Sequence, residues 1–171
     1  LLARDDTVLP PDCMELCHHI SNDPVNGISL PNAVTRLNEA CVGRWIYYCY
    51  NAEYLHFPFC ETRSIEELIT FITEERRSSA FTYVIDLYAG DLERYPDAVS
   101  LDEAFLDKSG YYALARANMA DQGHPKERQL DFFGGLRWRY EEHVPALRRK
   151  IDRVAVFRAA AGLELREDHT F

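Results

Sequence analysis

The sequence predicts one α/β domain built on a mostly parallel sheet flanked by helices. Three observations lead there. Trp45-Ile46-Tyr47-Tyr48-Cys49-Tyr50 is an uninterrupted aromatic run, and Phe81-Thr82-Tyr83-Val84-Ile85-Asp86-Leu87-Tyr88 is a second apolar run. Between them stands Ser64-Ile65-Glu66-Glu67, the signature of a capped helix start. Continuous apolar runs of this length read as strands buried on both faces. Strand, capped helix and strand in succession outline a βαβ unit, whose two strands would pair in parallel.

The 171 residues suffice for one domain with a real core, and 47% hydrophobic with 27% charged residues excludes a disordered chain. The formal charge of -9 opposes binding to nucleic acid or an anionic membrane. Arg148, Arg149, Lys150 and Arg153 form a local basic cluster, but Glu141, Glu142 and Asp152 flank it, as on a solvated helix face. No run reaches the ~18 apolar residues of a membrane span, and no signal peptide opens the chain. The Leu1 start and Phe171 end read as an excerpt of a longer protein. Five cysteines without a regular framework indicate cytosolic thiols, with Cys49 expected as a buried one. Cys13 and Cys17 followed by His18 and His19 fall within broad zinc spacing. Adjacent histidines on a helix point about 100° apart, so a buried helix face is the favoured reading there.

Residues 1–35 are weakly patterned, with turn signals at Asn22-Asp23-Pro24 and Asn26-Gly27. Pro31 and Asn32 open a helix expected over 33–42, with Gly43 as its stop. The aromatic strand follows, then a loop to Pro58. Behind the Ser64 cap, Ile65, Leu68, Ile69 and Ile72 make one apolar stripe at helical spacing, with Phe71 beside it. Ser100-Leu101-Asp102-Glu103 signals another capped helix, broken at Ser109-Gly110. Residues 123–126 read as a loop and Phe132-Phe133-Gly134-Gly135 as a tight, close-packed turn. A strand over 154–158 is expected to form a hairpin with 163–166 across Ala161-Gly162.

In a parallel α/β sheet ligands gather at the C-terminal ends of the strands. Asn51 and Glu53 follow the first strand, and Asp86 and Asp91 lie in and after the second. A carboxylate in such a place can hold a cation or take a proton; the plainer alternative for Glu53 and Asp91 is a solvated loop residue. Motifs for nucleotide hydrolysis, hydride transfer and the common hydrolases are missing. The aromatic stretch over 45–59 reads as core strand, with a sugar-stacking or partner surface as alternatives.

The segment from Asn38 to Leu55, with Gly43 and Trp45 leading into the aromatic strand, resembles the metal-motif region of bacterial family 2-like glycosyltransferases of GT-A type. The likeness continues through the Ser64 helix and Val84-Ile85-Asp86-Leu87-Tyr88, and more sparsely to Glu167-Asp168-His169-Thr170. It implies a Rossmann-like sheet, incomplete on its N-terminal side because the nucleotide-binding half should precede residue 36. It implies cytoplasmic transfer of a sugar from a nucleotide-sugar donor to a glycan or other acceptor hydroxyl. Two aspartates would hold manganese or magnesium against the donor diphosphate; Tyr50 and Ala52 stand in their places, so that site is degenerate. The resemblance assigns Asn51, Glu53 and His169 to the donor diphosphate, Glu53 and His169 to any metal, and Asp86 or Asp91 to the acceptor as base. Arg137, Arg139, Arg148 and Arg149 are alternative phosphate ligands, weighed against an ion-pair network with Glu141 and Glu142. The loss of the aspartates leaves a second reading, a non-catalytic descendant that binds glycan or protein.

Overall fold

The computed structural model describes residues 2–3, 11, 20–21, 28–96 and 99–171. The turn signals at 22–27 and the Cys13, Cys17, His18 and His19 group lie outside the described residues. In chain order the elements are β1 (Leu2–Ala3), β2 (Ile20–Ser21), α1 (Leu30–Ala40), β3 (Trp45–Tyr47), α2 (Ile65–Glu74) and β4 (Ser79–Tyr83). Then come β5 (Tyr112–Asn118), β6 (His124–Phe133), the single-turn helices α3 (Leu136–Arg139) and α4 (Ala146–Arg149), and β7 (Asp152–Arg158). The chain divides into two compact units, residues 1–80 with 154–171, and residues 81–153.

In the first unit α1 starts where Ser29 accepts a hydrogen bond from the Asn32 N–H, with Pro31 in the first turn. The chain reverses after it through Gly43, whose φ of +86° suits glycine. Val34 of α1 packs with Ile46, Tyr48, Phe157, Ala159 and Leu165, and Phe171 packs against this cluster. Asn38 ties the same layer together. It is fully buried, its Nδ2 donates to the carbonyls of Ala160 and Leu163 at 2.8 and 3.1 Å, and its Oδ1 accepts from the Ala160 N–H at 3.0 Å. A short amide thereby satisfies main-chain groups of the tail that no strand pairs. The capping box of α2 forms as expected: Ser64 accepts from Glu67 N–H and Glu67 accepts from Ser64 N–H. Of the expected stripe only Ile72 is buried, and Ile65 is exposed.

The sheet overturns the expected fold class. Its order is β3-β7-β4, so β7 stands where direct β3–β4 pairing was expected. β3 and β7 are antiparallel in the register Trp45↔Arg158, Ile46↔Phe157 and Tyr47↔Val156. Arg158 N–H bonds Ser78 O at one end of β4 and Val84 N–H bonds Ile151 O at the other, which makes β4 antiparallel to β7 as well. β3 and β4 therefore run in the same direction without pairing. The one parallel pair among the described residues joins the two-residue strands β1 and β2. This is not the mostly parallel, Rossmann-like sheet of a GT-A domain. The strand over 154–158 exists, but it pairs with β3 and β4 rather than in a hairpin with 163–166. The first strand ends at Tyr47, and Cys49 is exposed rather than buried.

In the second unit β5 and β6 form an antiparallel hairpin from Tyr112↔Phe133 to Asn118↔His124, with a register shift between Ala115 and Ala117. Residues 124–126, expected in a loop, open β6. The Gly134-Gly135 turn is as close-packed as expected. A Cβ on Gly134 would lie 2.6 Å from Gly110 O and 2.7 Å from Tyr111 Cα. The helix expected after Ser100 is one short 3-10 turn (Leu101–Glu103), and Ser100 makes no side-chain cap bond. Asp131 receives Arg116 at 2.7 Å and Lys150 at 2.9 Å. Asp152 accepts from Phe132 N–H at 2.6 Å.

Candidate functional site

The loop between β3 and α2 brings together three metal-ligating side chains. Pro58 occupies the second position of a turn in which Cys60 N–H bonds Phe57 O at 3.0 Å, and Phe59 follows with φ +66°. Proline followed by a positive φ is the pattern of a type II turn. Phe59 O then accepts from Thr62 and Arg63 N–H, so the chain folds back just before the Ser64 cap. His56 and Glu61, on either side of this turn, meet Cys60. An imidazole nitrogen, the thiol sulfur and a carboxylate oxygen all lie within 4.8 Å of one another. A bulky residue at positive φ is strained by about 1 kcal/mol or more, and such strain concentrates at functional sites. His56 and Glu61 are exposed and Cys60 half-buried, so the donor atoms can adjust by rotation.

Tetrahedral zinc, with bonds of about 2.0–2.3 Å, needs its donors about 3.3–3.8 Å apart. Closing from 4.8 Å is within the reach of three surface rotamers. A thiolate and an imidazole select zinc over magnesium or manganese, which prefer oxygen. Among the described residues this is the one such group of three or more.

The residues singled out from the sequence lie elsewhere. Glu53 closes a turn, its carboxylate accepting from Tyr50 N–H at 2.8 Å. His169, at φ +59°, has Nδ1 3.3 Å from Tyr48 Oη and Nε2 3.3 Å from Tyr50 Oη. Its ring stacks on Tyr48 at 6.1 Å. Glu53 and His169 thus both reach Tyr50, one at its main chain and one at its hydroxyl. Asn51 is exposed in the same turn. In the other unit Asp86 is held by Arg137 through two bonds of 2.7 and 2.9 Å, and Asp91 accepts from Arg94 N–H at 3.0 Å. Arg139 pairs with Asp107, and Arg149 donates to Val144 O. Arg137 and Arg139 are therefore paired with Asp86 and Asp107 rather than with Glu141 and Glu142. Tyr88 donates to Asp107 at 3.0 Å, and that bond raises the tyrosine's pKa above 10.0, with burial and the Asp107 charge adding to it. Burial, then the charges of Asp107 and Asp86, raise Tyr111 likewise.

Comparison with family models, with curated proteins and with solved structures finds no match. The glycosyltransferase resemblance fails on the structure. With β7 between β3 and β4, the described residues form no parallel sheet beyond the two-residue pair β1–β2, too small to seat a nucleotide sugar, and the metal-ligating trio among them is His56, Cys60 and Glu61 rather than an Asp-x-Asp pair. Sugar transfer, the nucleotide-sugar donor and the glycan acceptor lose their basis with the fold. Among the described residues no helix is long and apolar enough to cross a membrane.

The trio went unrecognised in the sequence. His-x3-Cys-Glu is too common a spacing to stand out. What unites it is the positive φ at Phe59, which a phenylalanine does not announce.

Proposed function

We propose that this chain binds a divalent transition-metal ion of the zinc class through His56, Cys60 and Glu61, with one coordination position left for water or another ligand. The observation that carries the reading is the convergence of nitrogen, sulfur and oxygen donors within 4.8 Å on a turn held by main-chain bonds. Three protein ligands with an open fourth position can exchange a ligand, whereas four-ligand structural sites are closed. The trio lies apart from the lining of the clefts at Phe81 and Arg116 and at Asp91 and Phe105. A reducing compartment, the cytoplasm, suits the site because an oxidised Cys60 cannot ligate.

Cobalt(II) and zinc titrations of the full chain test this, in a Cys13→Ser, Cys17→Ser, Cys49→Ser background that removes those competing thiols. Cobalt should show a sulfur-to-metal charge-transfer band with one-to-one stoichiometry, and zinc should displace it. Cys60→Ser should abolish the band, and His56→Ala and Glu61→Gln should weaken binding. Unchanged binding in the three variants would falsify the assignment, as would a preference for magnesium or manganese over zinc.

A further inference from the structure

We propose that the cleft between the Asp91–Tyr95 turn and the Ser100–Phe105 segment binds a small organic ammonium ion with an apolar body. The site is separate from the metal trio and lies wholly within the second unit. Its volume of about 650 Å³ falls within the usual range for ligand pockets.

Phe105 forms one wall, and its position is fixed. Tyr88 and Phe105 exchange main-chain hydrogen bonds of 3.0 and 2.9 Å, and their rings stack with centroids 6.4 Å apart. Tyr88 is anchored in turn by its hydroxyl on Asp107. Gly90 admits the Phe105 ring, since a Cβ there would lie 3.0 Å from Phe105 Cε2. Asp91 and Tyr95, also in the lining, belong to an ordered turn in which Tyr95 N–H bonds Asp91 O at 3.0 Å and Asp91 Oδ1 accepts from Arg94 N–H.

The lining chemistry is one-sided. Asp91 and Glu103 supply carboxylates, Tyr95 and Phe105 aromatic rings, and Ser100 a hydroxyl, with no lysine, arginine or histidine among the described lining residues. Two carboxylates exclude an anion, and an aromatic face attracts a cation through its quadrupole. The Arg94 guanidinium carbon already stands 5.1 Å from the Tyr95 ring centroid, so Phe105 is the ring offered to the ammonium ion. An ammonium group on an apolar body matches both halves of the lining.

Amide-detected NMR titration of the full chain with benzylammonium, against neutral benzyl alcohol, tests the proposal. Benzylammonium should give saturable shifts confined to residues 88–105, weakened by added salt, and the alcohol none at the same concentration. Glu103→Gln, at an exposed position that leaves the fold intact, should weaken binding about two- to fivefold, and Phe105→Leu by a similar factor. Should Phe105→Leu disturb the unit's spectrum, Asp91→Asn replaces it with the same expectation. Equal binding of the alcohol, shifts outside this region, absence of saturation, or Glu103→Gln behaving as wild type each overturns the proposal.

Discussion

Replacing Asn38 removes the buried amide that joins α1 to the tail of the first unit. In Asn38→Ala, the Ala160 N–H and the Ala160 and Leu163 carbonyls lose their side-chain partner. A buried polar group left unsatisfied costs about 1–3 kcal/mol. The Ala160 carbonyl keeps the Leu163 N–H as a partner, and Ala160 is exposed and can recover some water, so the lower end applies to the two remaining groups, giving a loss of about 2 kcal/mol in all. Asn38→Asp separates the donor role from the acceptor role. It keeps an acceptor for Ala160 N–H but turns a second oxygen toward two carbonyls. The carboxyl is then favoured in its protonated form, so its folded-state pKa rises above the unfolded value of about 3.9. The folded state holds the extra proton, and stability falls as pH increases above about 4, by about 1.4 kcal/mol per unit, until the folded pKa is passed. Urea unfolding followed by circular dichroism, with exchange of the Ala160 amide proton as a local probe, measures both variants. A loss below about 1 kcal/mol in Asn38→Ala, or an Asn38→Asp variant as stable as wild type at pH 7, would refute the reasoning.

Two further outcomes follow from the second unit. Gly134→Ala should destabilise it by about 2 kcal/mol or more, because the added Cβ meets Gly110 O and Tyr111 Cα, main-chain atoms that cannot rotate away; thermal unfolding within about 0.5 kcal/mol of wild type would contradict this. Spectrophotometric titration should find Tyr88 ionising above 10.0, and Asp107→Asn should lower that pKa by removing a carboxylate that opposes the phenolate. The sign for stability follows: a tyrosine pKa raised by folding favours the fold below the unfolded value and loses that contribution as pH climbs past the folded one. A Tyr88 ionisation unmoved by Asp107→Asn would show that the hydrogen bond is not the main cause.

Several local features were legible in the sequence, although the Ser-x-x-Glu signal at Ser100 gave only a 3-10 turn without a cap bond. The α2 capping box needs only Ser64 and Glu67 three residues apart, and both of its bonds form. Gly43 and the Gly134-Gly135 turn were readable because a positive φ favours glycine. Non-local choices were hidden. The β5–β6 hairpin turns at Gln122, in the left-handed region with φ +51°, and Gly123, where Gln-Gly is a weaker signal than Asn-Gly. The Asp86–Arg137 pair spans 51 residues and the Asn38 bonds span 122 and 125, separations at which no sequence period operates. The candidate metal trio is a local cluster and still escaped notice, because its turn places phenylalanine where glycine would have been the signal.

The strand exchange shows why a correct list of elements led to the wrong topology. A strand, a helix and a strand in succession return the chain in its original direction whether the two strands touch or leave a gap for a third. Periodicity within each segment is the same in both cases. The discriminating signal is burial: the central strand of a three-stranded sheet is covered more completely than its edges. In β7, Ala155, Val156 and Phe157 are 2%, 1% and 2% exposed, whereas β4 alternates exposed and half-buried residues throughout. Aromatic content had suggested that the runs beginning at Trp45 and Phe81 were buried on both faces. The strand that is buried most continuously is instead the less aromatic β7, near the end of the chain. This inversion bears on function as well as fold. The rule that places ligands at the C-terminal ends of strands belongs to parallel sheets, and only such a sheet would single out Asn51, Glu53, Asp86 and Asp91. In an antiparallel sheet it has no force, and the chemistry-bearing geometry must be sought where side chains converge, which leads to the turn at Phe59 and the cleft beside Phe105.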